Sequence, residues 1–432
     1  MQPMHKATFH QNTPIPTLTI PQPGVKSVTA LVLCNTGSRF ETKEEQGIAH
    51  FFEHMVFKGT KTYDSAQKLA STIDALGADF NAFTGKEYTG YYVKAASRHL
   101  PTALSVLSEM VLKPLLRQED IDREKGVIIE EMNMYHDTPM RYVDTLFERM
   151  VFPNAGLGHD VLGDREVIKS TTTERFTTFL NKWYGLENML LVLSGDEKAL
   201  EDEKLPSAIA KYFDLPNSDR AKGKIDLKSY FDPKQFQETR LHVETRKTEQ
   251  AHLVLGWPGL ARSSDKKHIL SVLSTILGGA MSSRLFSEVR EKRGLCYYVR
   301  SDVEYFHDLG MVGASAGVDP NRTTEALSVI LEECFSLADG RKPISEEELK
   351  MAKEHIVGSM ILSFEDSKSV AQFYGMRHLL LGEIESPEEI TKKIQSVTLE
   401  QLATLAKDIF VPGQQRLAVI GPFEEKEFKQ FV

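Results

Sequence analysis

Cysteine is scarce in this chain of 432 residues, which carries only Cys34, Cys296 and Cys334. Three scattered thiols cannot make a disulfide framework, and none clusters with histidine at the spacing of a structural zinc site. No uninterrupted apolar run approaches the length that spans a bilayer. The opening stretch, Met1-Gln2-Pro3-Met4-His5-Lys6, has neither the apolar core of a secretory signal nor the Arg-rich pattern of an organelle-targeting segment. Positive charge is also in deficit. With 52 Lys and Arg against 61 Asp and Glu, the net charge is -9, which argues against nucleic acid or an acidic membrane surface as the main partner. The pair Gly278-Gly279 is too short for a phosphate cradle and lacks the Gly-Lys-Ser/Thr ending. What remains is the expectation of a soluble, cytoplasmic, bacterial enzyme, long enough for two or more domains.

The stretch that is rich in chemistry is His50-Phe51-Phe52-Glu53-His54. On a helix, residues four apart share a face, so His50 and His54 can point at one ion. Glu53 lies on the same side and can reach a water on that ion without being a ligand. The flanking Ile48, Phe51, Phe52, Met55, Val56 and Phe57 make the segment largely apolar, so its polar side chains need a reason to be there. His-x-x-Glu-His is the inverted form of the better-known zinc motif. Two histidines are too few for a catalytic zinc, which takes three protein ligands, so a third is expected downstream.

Further along, residues 15–35 read as two strands about a Pro23-Gly24 turn, and Ser65 as the N-cap of a helix ending at Gly77. Residues 80–95 read as a hairpin turning at Thr84-Gly85-Lys86, and 100–112 as a helix stopped by Pro114. The segment 119–136 has helical periodicity. Glu124 and Glu131 are two turns apart on one face, close to Val127 and Met134, whereas Glu130 is rotated by about a hundred degrees. The chain also repeats itself. Thr172-Thr173-Glu174 through Leu193-Ser194-Gly195 aligns without a gap on Thr398-Leu399-Glu400 through Val419-Ile420-Gly421, at an offset of 226 (400 − 174). Ala30-Leu31-Val32-Leu33 and His252-Leu253-Val254-Leu255 match at a similar offset. Ordered matches near half the chain length indicate a duplicated domain. The expected organisation is 1–215, a polar linker at 216–237, and 238–432.

His50-Phe51-Phe52-Glu53-His54 followed by Glu124-Lys125-Gly126-Val127-Ile128-Ile129-Glu130-Glu131 resembles the pitrilysin-type metallopeptidases, in particular the half-size branch around the mitochondrial processing peptidase catalytic subunit. The resemblance covers nearly the whole chain. It implies an α+β fold of two similar domains, each an antiparallel sheet with helices packed on it, together forming half of a clamshell chamber. It also implies one zinc ion per chain, held by His50, His54 and Glu131, with Glu53 as general base. Glu131 is preferred over Glu130 because it alone completes Glu-x6-Glu with Glu124, and His136 is a weaker candidate still. Glu124 is then a carboxylate that orients a ligand from behind.

The stretch 77–84, with Asn81 and Ala82, resembles the family's substrate-binding edge strand, where a peptide adds as a further strand. Arg290 and Tyr297 resemble its Arg/Tyr element, with Arg293 the rival arginine; such donors suit substrate carbonyls and a developing oxyanion. In relatives that element faces the metal from the opposite half, so a homodimer is expected, with Arg290 and Tyr297 acting in trans. The function implied is a zinc endopeptidase acting on peptides or unfolded segments. Two alternatives stand beside it: a processing peptidase for one precursor, and a non-catalytic binding or structural subunit on the same fold.

Overall fold

Short apolar runs separated by turn residues become strands in a computed structural model that describes residues 6–153, 156–215, 219–231 and 238–432. The first sheet contains Thr8–His10 (β1), Thr17–Gln22 (β2), Ser27–Cys34 (β3), Asp79–Thr84 (β4), Thr89–Ala96 (β5) and Met189–Asp196 (β6), in the order β1-β2-β6-β3-β5-β4. The second contains Leu241–Thr245 (β7), Ala251–Pro258 (β8), Cys296–Tyr305 (β9), Gly310–Val318 (β10) and Arg416–Gly421 (β11), in the order β7-β11-β8-β10-β9. Leaving out β1, the two orders are the same. Both sheets are antiparallel except for one pair each, β2 with β6 and β7 with β11. Parallel pairing needs a long connection, and more than a hundred residues separate the partners in each case. The duplication read from the sequence is thus repeated strand by strand. Thr172 and Thr398 both cap helices with their side chains, accepting from Arg175 N and Gln401 N.

The chain divides into two compact units: Met1–Met132 with His159–Tyr230 and Ile361–Glu388, and Asn133–Gly158 with Phe231–Met360 and Glu389–Val432. Each unit takes one helix from the other half of the sequence. In the first, Ser367–Leu381 packs on β3 and β6. Its Gly375 lies so close that a Cβ there would stand 2.8 Å from Val192 and 2.9 Å from Leu33, which only glycine avoids. In the second, Pro139–Val151 packs on β11 and β8, burying Val143, Leu146, Phe147 and Met150 against Ala418, Ile420 and Met311. β3 and β6 are buried almost throughout, which is why they read as continuous apolar runs. Within the expected linker, residues 216–218 and 232–237 lie outside the described residues, and Arg220 donates to the backbone carbonyls of Val111, Leu112 and Tyr184 in the first unit. Among the described residues no helix is long and apolar enough to cross a membrane.

Candidate metal centre

The motif forms the helix Ile48–Met55, entered through Gly47. Gly47 has φ 93°, and a Cβ on it would sit 2.7 Å from Leu162 O and from Gly163 Cα, so a side chain is excluded on both counts. A glycine cannot cap with a side chain. Glu41 does so from outside, its two carboxylate oxygens accepting from Gly47 N at 2.7 Å and Ala49 N at 2.9 Å. Phe51 and Phe52 anchor the opposite face, edge-on to Phe176 at 5.0 Å and Tyr184 at 4.7 Å between ring centres. The helix is therefore fixed in rotation, and His50, Glu53 and His54 leave it on the remaining side.

The second element is the helix Gln118–His136. Its buried residues are Ile121, Glu124, Ile128 and Met132, spaced by three or four. Val127 and Met134, expected near the carboxylate face, are 49% and 54% exposed. The core stripe runs through Ile121 and Ile128 instead, and Glu124 shares it.

The two helices bring three donor atoms together. Glu131 Oε2 lies 3.4 Å from His54 Nε2 and 3.6 Å from His50 Nε2, and all three ligand atoms fall within 4.8 Å of one another. Tetrahedral ligands on bonds of about 2.0–2.1 Å stand about 3.3–3.4 Å apart, so the Glu131 separations suit zinc. Nitrogen and carboxylate donors suit zinc also by chemistry, since calcium and magnesium favour all-oxygen sets. Among the described residues this is the one group of three such donors. Glu130 is exposed, and His136 bonds Asp137 and Arg246 instead.

The three groups are electrostatically linked. Burial and the charge of His54 push His50 down to about 4, against the pull of Glu131. For His54 burial opposes charge, but hydrogen bonds to Glu124 and Glu131 outweigh it and raise the ring to about 9. Glu131 is held below the usual carboxylate range by its bond with His54. Glu124 Oε1 accepts from His54 Nδ1 at 2.9 Å, which orients the ring with its Nε2 toward Glu131. Lys58 Nζ, 2.5 Å from Glu124 Oε2, helps keep Glu124 ionised in spite of its burial. His50 has no such support, its buried Nδ1 being without a partner among the described residues.

Glu53 is half-buried, and burial raises its pKa against the hydrogen bond that its Oε2 accepts from Thr84 Oγ1 at 2.6 Å. Thr84, Lys58 and Glu41 were not legible as site residues, because Thr84 and Lys58 act through contacts across distant segments and Glu41, six residues ahead of Gly47, stands at no helical spacing that marks it. Asn81 and Ala82 lie on β4, which ends the sheet order and, among the described residues, pairs only with β5. Ala82 is buried, and its N–H is taken by Asn81 Oδ1 at 2.9 Å.

In the second unit, Phe286–Glu291 is a π-helical turn carrying Arg290, and Tyr297 stands 73% exposed on β9. The Arg290 guanidinium lies 4.9 Å from the Phe286 ring centre and 5.8 Å from that of Tyr297. Arg293 is engaged elsewhere. It donates to Glu288 O at 2.7 Å and Glu288 Oε2 at 2.6 Å, and with Lys292 draws that carboxyl down to about 2.

Comparison with known proteins places the chain in a family. The family described as Insulinase (Peptidase family M16) matches residues 17–165, and the domain described as Peptidase M16 inactive domain matches 170–356. An uncharacterized zinc protease of Streptomyces coelicolor is 35% identical over 410 residues, 94% of this chain and 87% of that protein. One of Bacillus subtilis is 36% identical over 400 residues, 93% of this chain and 94% of its own. A crystal structure of a protease from Helicobacter pylori superposes with a TM-score of 0.86 at 22% identity, covering 97% of this chain and all of that one. A Pseudomonas fluorescens structure described as a peptidase M16 inactive domain gives 0.85 at 20% identity, over 97% of this chain and 98% of that one. At such identities these two speak for the fold of paired sheet-and-helix halves. With curated relatives above 30% identity matched along most of their length, the chain belongs to peptidase family M16, the insulinase or pitrilysin-type peptidases, in its half-size form.

Proposed function

We propose that this protein is a cytoplasmic zinc endopeptidase that cleaves peptides or unfolded segments. The observation that carries the reading is the convergence of His50, His54 and Glu131 beside an uncoordinated carboxylate, Glu53, from the same helix turn. One zinc ion per chain would be held by those three residues, and when bound it supplies Lewis acidity toward a peptide carbonyl and acidifies a water. Glu53 takes the proton from that water at Oε1, the oxygen that Thr84 leaves open, and later hands it to the leaving amine. The outer edge of β4, with Asn81 and Ala82, aligns the substrate backbone once Asn81 Oδ1 releases the Ala82 N–H, a mode that reads little side-chain sequence and favours unfolded chains. Arg290 and Tyr297 donate to substrate carbonyls, Arg290 being the arginine of its turn that is not tied to Glu288. The relatives named zinc proteases support the metal and the reaction class. In the proposed assembly a homodimer closes the chamber, and each Arg290–Tyr297 pair serves the partner's metal centre.

The test compares wild type with Glu53→Gln on a panel of unstructured peptides, with zinc measured in both. Cleavage by wild type only, at equal zinc content, is the expected result. Zinc in both without cleavage by either would favour the narrow-substrate or binding readings. No zinc in either would remove the basis for both peptidase readings.

A further inference from the structure

Thr84 is the last residue of β4, and its side chain reaches the motif helix thirty-one residues away. The 2.6 Å bond from its Oγ1 is the one hydrogen bond that the Glu53 carboxylate makes among the described residues. A Glu carboxylate turns broadly about its last torsion, so nothing in its own covalent structure decides which oxygen faces a reactant. Thr84 decides it by holding Oε2. The hydroxyl is itself well placed to do so. Its residue pairs with Thr89, Gly85 N donates to Tyr88 O at 2.8 Å to close the turn, and Phe57 packs on Phe80 at 5.8 Å to tie the helix exit to the strand.

We infer that Thr84 is a positioning residue that couples the edge strand to the general base, an inference that rests on the peptidase reading. One hydroxyl joins the strand that seats the peptide to the carboxylate that moves the proton. Strand and base are then kept in one fixed relation, so that a peptide aligned on β4 meets an oxygen already turned toward it. A purely structural role would only offset the burial of Glu53 and would leave turnover untouched.

Thr84→Val keeps the branched shape and removes the donor. It is expected to lower kcat roughly ten- to hundredfold, as loss of an orienting partner does, with KM little changed. Thr84→Ser, which keeps the hydroxyl, is expected to recover most of the loss. In the Glu53→Gln background Thr84→Val should cost nothing further. A second readout needs neither metal nor turnover. In zinc-free protein, the thermal-midpoint shifts of Thr84→Val and Glu53→Ala should combine less than additively, because either one breaks the same bond. Unchanged kcat in Thr84→Val beside an inactive Glu53→Gln would overturn the inference and leave the peptidase reading standing, as would additive midpoints. Cleavage that survives Glu53→Gln would overturn the reading, and the inference with it.

Discussion

Glu124 is bonded to His54 on one side and to Lys58 on the other. Its Oε1 accepts a hydrogen bond from Nδ1, its Oε2 pairs with Lys58, and it is itself buried. Removing it would free the His54 ring to rotate and leave Lys58 without its carboxylate. Glu124→Ala is therefore expected to weaken zinc binding roughly 10–100-fold, measured by competition with a chromophoric chelator. Glu130→Ala, at an exposed position one residue from the ligand, should leave affinity unchanged. The contrast between two neighbouring acids of one helix is a matter of rotation. About a hundred degrees per residue decides that Glu131 meets the histidines while Glu130 faces outward. His50 and His54, Glu124 and Glu131 were legible because their spacings are helical periods. Thr84 and Lys58 were not, because nothing periodic joins them to the motif.

At the level of elements, the duplicated halves have exchanged a helix. Pro139–Val151 and Ser367–Leu381 start 228 residues apart (367 − 139), close to the repeat offset, and each packs in the unit built mostly from the other half. The fragment 1–215 therefore lacks the helix that covers β3 and β6. With Gly375 and its neighbours gone, Leu33 and Val192 would face water. That fragment, expressed alone, is expected to be insoluble or to bind a dye specific for exposed apolar surface. Supplying residues 361–388 as a separate peptide or a C-terminal fusion should suppress that binding. A fragment that unfolds cooperatively without the helix would contradict this account. The turn at Gly47 makes a related point: Glu41, six residues upstream, supplies the cap that the entering glycine lacks.

For the whole molecule, the proposed homodimer makes a prediction of stoichiometry. Glu53→Gln and Arg290→Ala each disable a different part of the proposed site. If the parts belong to opposite chains, a mixed dimer contains one intact site. Mixing the two inactive variants under conditions of subunit exchange should then restore about a quarter of wild-type activity, half of the dimers being mixed and half of their sites complete. No recovery in verified mixed dimers, or full activity in a verified wild-type monomer, would place both parts in one chain. The arrangement of Arg290 between Phe286 and Tyr297, with Arg293 bound to Glu288, makes Arg290 the better arginine for this test.

The sequence by itself determined the family, the α+β character and the duplication, and it singled out His50, Glu53, His54, Glu124 and Glu131 as candidates, since all of these are carried by motif spacing or by matches along the chain. Only the tertiary structure decided which groups stand behind them. Glu41 at the helix entry, Lys58 on Glu124 and Thr84 on Glu53 are contacts made across folded segments. It also decided that Val127 and Met134 face solvent, and that each compact unit completes itself with a helix from the other half of the chain. The physical reason is the same throughout: periodicity records which residues share a face, whereas the partner that the face meets is chosen by packing.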